Sequence, residues 1–339
     1  MRNKQYFTCN LFEDTSFEIK DKFVVHQEEL LQDQIDRFKI NKVKYDCRWK
    51  KSSFDPRLPT VIIPIKDNPE LLKYTLANFK ATGMLKLVNT IVVDDRSTAP
   101  LEEICDSFNV NYLKINNDKG FNFSMLNNIA SFLVNKLGGK TVLFWNSDLW
   151  VDKIEHFKEL LKRHKKNKST ISGSKLLYPY ESLNKEDSTN IKVHFPHMSE
   201  GKYKGTVQFG GARWAPTHSG GLVPVHFKRF SKKDDPRVNQ DYETEFVTGA
   251  LQVINLKWFI DFGGFNPSLS KVFQDVDLCL RALEDGKKVS YYGRDIHFYH
   301  DESFNFFSNK NEKKIDKQFK SDEVLFGKLW MEKIASLIF

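Results

Sequence analysis

Three short apolar runs set the terms for the fold: TVIIPI at 60–65, TIVV at 90–93 and TVLFW at 141–145, each with a polar or acidic tip close behind it. The runs are too short for ordinary helices, and their apolar positions are consecutive rather than alternating, as in strands covered on both faces. Between them, 69–79 and 124–136 predict helices and 111–115 predicts a further strand, the βαβ order of a parallel sheet. Such sheets bind ligands beyond the carboxyl ends of their strands, where Asp94, Asp95 and Asn146-Ser147-Asp148 fall. Each of these residues alone also reads as a turn former or helix cap.

The flanks are less regular. Residues 1–57 are polar and Lys-rich, with a helix expected around 28–38, and Asp55-Pro56-Arg57-Leu58-Pro59 marks a boundary near 58. From 178 to 245 the pattern weakens in a segment containing GGARWAPTHSGG at 210–221. Such an excursion either covers a site and selects its substrate or is an ordinary surface insertion. FVTGALQVINLKWFIDFGGFNPSL at 246–269 then restores an apolar strand or helix ahead of a glycine turn at Gly263-Gly264. The last stretch is an amphipathic helix with Leu325, Leu329, Ile334 and Leu337 among its apolar positions, expected to pack on its own domain. The expected organisation is an N-terminal extension over 1–57, a core domain over 58–305 with an insertion around 178–245, and a helical appendage over 306–339.

At 339 residues the chain can bury a core without disulfides, and its four cysteines, Cys9, Cys47, Cys105 and Cys279, lack metal or redox spacing and read as thiols. A formal charge of +8 suits a phosphorylated ligand, a nucleic acid or an anionic membrane surface without choosing among them. The basic runs at 163–168 and 310–314 have no interleaved RNA-binding aromatics, so they read as solvated surface and no specific nucleic-acid partner is expected. With no leader-like apolar stretch at the start and no segment near the roughly 20 apolar residues of a membrane span, a soluble cytoplasmic chain is expected, with peripheral association at the inner face of a membrane as its variant.

The late segments carry the most chemistry. In FQDVDLCLR at 273–281, an Asp275 that opens a helix keeps its carboxylate charged and directed toward a cleft, which suits a general base. Asp277 is a second polar contact or, at i,i+4, the partner of Arg281. In DIHFYH at 295–300, His297 alternates with Tyr299 as in a strand. If His300 meets Asp148 the two suit Mn²⁺ or Mg²⁺, but spacing does not establish that meeting.

In this order, TVIIPIKDN at 60–68, IVVDDRS at 91–97, GFNFSMLNNIA at 120–130, LFWNSDLW at 143–150, FVTGALQVI at 246–254 and FGGFNPSLSKVFQDVDLCLRALEDG at 262–286 resemble the family 2 nucleotide-sugar glycosyltransferases, especially their rhamnosyltransferase-like and galactofuranosyltransferase-like branches. The resemblance implies an α/β, A-type glycosyltransferase fold: a single Rossmann-like nucleotide-diphospho-sugar transferase domain with a mixed central sheet. It places Pro64, Ile65 and Asp67 at the edge of the nucleotide site, Asp95 on the base or nearby sugar with Asp94 in support, and Gly120, Phe121, Ser124 and Asn127 in the element before the metal motif. Ser147 and Asp148 fall in that motif on the donor side, with Asp148 and His300 as metal ligands and Trp150 where some members carry another acid. Gln274-Asp275 matches the usual Glu-Asp pair, with Asp275 as the base. Gly249, Ala250, Gln274 and Asp277 fall on the acceptor side, and Trp214 and His218 join them from the insertion as residues able to stack on or hydrogen-bond a sugar.

The implied activity is metal-dependent, inverting transfer of a sugar from a nucleotide diphosphate to a glycan or glycoconjugate hydroxyl. A UDP-sugar is the broad donor expectation, dTDP-rhamnose its competitor, and Mn²⁺ or Mg²⁺ the cofactor. Gln274 and Trp150 keep open a different class, a catalytically inactive carbohydrate-binding or scaffold protein on the same fold.

Overall fold

The structure, a computed structural model, describes residues 22–26, 44–116, 120–179, 205–216, 222–301 and 312–338. The helix expected around 28–38, Cys9 and His218 lie outside these residues. Along the chain run α1 (Pro69–Ala81), α2 (Leu101–Phe108), α3 (Phe123–Lys136), α4 (Ile154–Lys166), α5 (Leu256–Asp261), α6 (Gln274–Glu284) and α7 (Glu312–Ile338). The chain divides into two compact units, 1–147 with 254–270, and 148–253 with 271–339.

In the first unit the strand order is β1 (Lys22–His26), β2 (Lys44–Lys50), β5 (Asn111–Asn116), β4 (Asn89–Asp95), β3 (Thr60–Ile65) and β6 (Thr141–Trp145). β5, β4, β3 and β6 are parallel, whereas β2 runs antiparallel to β5 and β1 to β2. Every residue of β3 and β4 is buried, which explains their unbroken apolar sequence. In β2 the sequence KYDCRWK alternates instead, burying Cys47 and Trp49 while Arg48 and Lys50 face out.

Asn68 caps α1 by accepting the Leu71 N–H at 3.2 Å, with Pro69 following, and Asn122 caps α3 by accepting the Met125 N–H at 2.9 Å. Ile65, Leu72, Leu76, Val92, Leu101 and Cys105 close one layer of the core. On α3, a helix buried from Phe123 to Val134, polar groups reach the 263–270 segment: Asn128 Nδ2 donates to the Phe265 carbonyl at 2.9 Å and its Oδ1 accepts the Phe265 N–H at 2.9 Å. Gly264, at φ +69°, is required there, because a Cβ would lie 2.5 Å from Asn128 Oδ1.

In the second unit, β14 (Leu251–Asn255), through which the chain passes to the first unit, is followed in sheet order by β8 (Ile171–Ser174), β15 (Val289–Tyr292) and β13 (Asp241–Glu243). A four-stranded sheet orders β10 (Val207–Phe209), β9 (Leu176–Leu177), β16 (Phe298–His300) and β7 (Leu149–Trp150), and β11 (Ala212–Pro216) pairs with β12 (Leu222–His226). The irregular stretch after 178 thus supplies short strands. The basic run at 163–168 ends α4, where Arg163 pairs with Glu159 and Asp241. Helix α7 turns Phe326, Trp330 and Ile334 inward and leaves Val324 and Met331 exposed.

Cys47 and Cys105 in the first unit and Cys279 in the second are buried thiols outside any disulfide.

Candidate active site

In the first unit, the loops after β3 and β4 are tied to each other. Asp67, at φ +47°, donates its N–H to Ser97 Oγ at 2.8 Å. Its Oδ1 accepts the Thr98 N–H at 2.7 Å and the Thr98 hydroxyl at 3.1 Å. Against a desolvation that raises it, these bonds hold the Asp67 carboxyl below its usual range. Pro64 and Ile65 are buried at the end of β3.

Asp94 and Asp95, adjacent on β4, point to opposite faces of the sheet. Asp94 is fully buried and accepts the Ser97 N–H at 2.8 Å and the Tyr112 hydroxyl, with Lys114 Nζ at 3.7 Å. Burial, followed by the carboxylate beside it, pushes the Tyr112 phenol far up, so the phenol stays a donor. Asp95 is set among cations, with Arg96 Nε at 2.9 Å and Lys66 Nζ at 3.8 Å. On α3, Ser124 donates to the Leu269 carbonyl and Asn127 Nδ2 to the Phe123 carbonyl at 2.8 Å. Asn127 Oδ1 takes no hydrogen bond among the described residues. Ser147 is buried and its carbonyl accepts the Thr75 hydroxyl.

In the second unit the structure brings together Asp148 and His300, with Asp148 Oδ1 3.3 Å from His300 Nε2. The Asp301 N–H donates to the Asp148 carbonyl at 3.0 Å, one step beyond the Leu149–His300 pairing of β7 with β16. His300 Nδ1 faces Gln208 Oε1 at 3.4 Å, a long contact that favours a proton on Nδ1 and a lone pair on Nε2. Asp148 Oδ1 is buried and takes no hydrogen bond among the described residues. A buried carboxylate oxygen with no hydrogen bond among the described residues, 3.3 Å from an imidazole nitrogen, is a donor pair that fits a divalent cation. Trp150, 1% exposed, is part of the core.

Helix α6 presents Asp275 in its first turn, after Phe273 at φ +63°. Asp275 Oδ2 accepts the Gly249 N–H at 2.6 Å and its Oδ1 accepts the Val276 N–H at 2.9 Å. Burial raises the Asp275 carboxyl above its usual range despite these bonds. A Cβ on Gly249 would lie 3.1 Å from the Asp275 Cβ, so the backbone approaches because glycine leaves room. Asp277 is occupied differently: Arg281 Nε and Trp330 Nε1 each donate to it at 2.9 Å. Gln274 is 6% exposed, and its Oε1 takes no hydrogen bond among the described residues. Ala250 is buried beside Gly249, and Trp214 on β11 sets its ring against Phe246 at 5.4 Å.

A cluster that the sequence reading did not assemble also lies in this unit. Asp152, His156 and His297 form a candidate metal-binding triad whose ligand atoms lie within 4.8 Å of one another. Asp152 and His156 are four residues apart at the start of α4, a spacing visible in sequence; His297 has no such signal.

The Glycosyl transferase family 2 model matches residues 60–215. The chain carries a family 2 glycosyl transferase domain. The O-antigen biosynthesis protein RfbC of Myxococcus xanthus is 25% identical over 241 residues, covering 68% of this chain and 16% of that protein. A crystal structure of GalNAc-T7 with UDP, GalNAc and Mn²⁺ superposes with a TM-score of 0.52 at 15% identity, covering 72% of this chain and 43% of that one. The chain therefore spans less than half the length of either protein. The likeness in structure gives the family 2 domain an A-type glycosyltransferase fold with a mixed sheet, as its sequence motifs implied. Among the described residues, no helix is long and apolar enough to cross a membrane.

Proposed function

We propose that the chain transfers a sugar from a nucleotide diphosphate donor to a hydroxyl of a glycan or glycoconjugate, inverting the anomeric carbon. The observation that carries this reading is Asp275: an acid in the first turn of α6, oriented by two backbone amides, with its pKa raised by burial. A carboxylate of raised basicity in a fixed orientation suits proton removal from an alcohol. The acceptor oxygen, as it loses its proton to Asp275, forms the new bond to the anomeric carbon. The bond from that carbon to the donor phosphate breaks on the opposite face, and the nucleoside diphosphate leaves with the electron pair.

On the donor side, we assign Pro64, Ile65, Asp67, Asp94, Asp95, Asn127, Ser147 and Asp148. Asp94 acts by holding its loop, and Asp95, flanked by Arg96 and Lys66, is the contact to the base or ribose. Asp148 and His300 would hold a divalent cation, Mn²⁺ or Mg²⁺, which would supply neutralisation of the diphosphate. Gly249, Ala250, Gln274, Asp277, Trp214 and His218 are assigned to the acceptor. Asp277 acts through its bonds to Arg281 and Trp330, and the buried Oε1 of Gln274, which takes no hydrogen bond among the described residues, suits a sugar hydroxyl. A UDP-sugar or dTDP-rhamnose is the donor, and the likeness to an O-antigen biosynthesis protein supports a cell-envelope polysaccharide acceptor. The reaction then belongs in the cytoplasm or at the inner face of a membrane, where nucleotide sugars meet a growing glycan.

The test is nucleoside diphosphate release from UDP-, dTDP- and GDP-sugars with candidate acceptors, in Mn²⁺, Mg²⁺ or EDTA. The anomeric configuration of the product is read by NMR. Metal-dependent release that Asp148→Ala and Asp275→Asn both abolish supports the assignment. Full turnover in Asp275→Asn, or a product of retained configuration, overturns it, and binding without turnover across the panel moves the scaffold reading forward.

A further inference from the structure

We infer that Asp152, His156 and His297 bind a zinc-like transition-metal ion at a site separate from the cation assigned to Asp148 and His300. Asp152 bridges the two imidazoles, with Oδ1 3.1 Å from His156 Nδ1 and Oδ2 3.2 Å from His297 Nε2. The two rings lie 4.4 Å apart between centroids, and all three side chains are largely buried. Zn²⁺ bonds to nitrogen and oxygen of about 2.0–2.1 Å in a tetrahedron set neighbouring donors roughly 3.3 Å apart. The Asp152 carboxylate, through a different oxygen each time, stands close to that spacing from each imidazole nitrogen, and the ligand atoms of the triad, one per residue, all lie within 4.8 Å of one another.

The donor set points to a transition metal. Two imidazoles with one carboxylate suit Zn²⁺ and its neighbours, whereas Mg²⁺ favours oxygen ligands. Three protein ligands leave a fourth position for water, and the partly exposed Asp152 gives that position access to solvent. Without the ion, the hydrogen bonds to Asp152 and the 3.1 Å contact of His156 Nδ1 with the His297 carbonyl satisfy the same atoms.

The separation from the first cation follows from strand register. β7 pairs with β16 through Leu149–His300 and Trp150–Tyr299. Asp148 stands before β7 and Asp152 beyond its other end, so the two clusters bracket one ladder, roughly 13 Å apart at about 3.3 Å per residue. An ion at the triad ties the start of α4 to the residue preceding β16, the strand on which His300 sits. The site does not depend on the transferase reading.

The experiment takes the full chain stripped with EDTA and titrates it with Co²⁺ and Zn²⁺. Visible Co²⁺ absorption, bound-metal stoichiometry and the shift in melting temperature are recorded. One equivalent of Co²⁺ with the intense spectrum of a four-coordinate site is expected. Binding should weaken at least tenfold in His156→Gln, His297→Gln and the near-isosteric Asp152→Asn, and persist in Asp148→Ala and His300→Ala. A parent chain without that equivalent, triad variants that bind like the parent, or loss of the signal in Asp148→Ala would overturn the inference. Circular dichroism on each variant separates metal loss from unfolding, and none of these readouts requires turnover.

Discussion

Replacing Asp322 with Ala tests how α7 supports the segment that carries Asp275. Asp322 is fully buried; its Oδ2 accepts the N–H groups of Lys271 and Val272 at 2.8 and 3.2 Å, and its Oδ1 accepts Gln318 Nε2 at 2.9 Å. Four residues further on, Phe326 stacks on Phe273 at 4.8 Å between centroids. Removing the carboxylate strands two backbone donors, each costing roughly 1–3 kcal/mol if dry, so water entry at the half-buried Lys271 brings the total to about 3 kcal/mol. Hydrogen exchange of the 271–277 amides should then accelerate about a hundredfold, since each 1.4 kcal/mol is a factor of ten. Donor turnover should fall with little change in donor affinity, and Asp322→Asn, which keeps an acceptor oxygen, should lose less. Exchange in Asp322→Ala within twofold of the parent would refute the reasoning.

Asp275→Asn should abolish turnover, and its melting temperature relative to the parent should rise with pH. A carboxyl whose folded pKa is raised above 3.8 adds stability below that value and loses it as pH rises through the folded pKa, so the melting-temperature gap should widen with pH from about 4 upward. For the same reason turnover in the parent should drop as pH falls through the raised pKa, which a pH–rate profile checks. Gly264→Ala places a Cβ against Asn128 at a left-handed φ and should cost about 2–3 kcal/mol in urea unfolding. Trp330→Phe removes a donor from buried Asp277 and should cost about 1.5–3 kcal/mol by the same measurement.

The elements that were legible in sequence are those whose local chemistry agrees with their burial. β3, β4 and β6 announce themselves because both faces are covered, and α1 and α3 because Asn68 and Asn122 stand at their starts. Helix α2 escaped notice: it has eight residues and buries only Leu101 and Cys105. In β2 the period of two was hidden by Arg48 and Lys50 at the outward positions, and α4 was hidden by its basic end. Asp148 and His300 were singled out by residue type and again by the family resemblance, and only the fold gives them a distance. The triad, Asp322 and Trp330 lie beyond a single-sequence reading because their partners are remote; His156 and the His297 carbonyl are 141 residues apart.

The buried thiols supply an internal clock for each unit. Burial pushes the Cys105 thiol up to about 12 and raises that of Cys279 further, so reactive thiolate is scarce while the packing is intact. Alkylation at Cys47 or Cys105 then timestamps an opening of the first unit, and alkylation at Cys279 an opening of the second. Peptide-resolved labelling on the unmodified chain would show whether a nucleotide slows one clock, both, or neither.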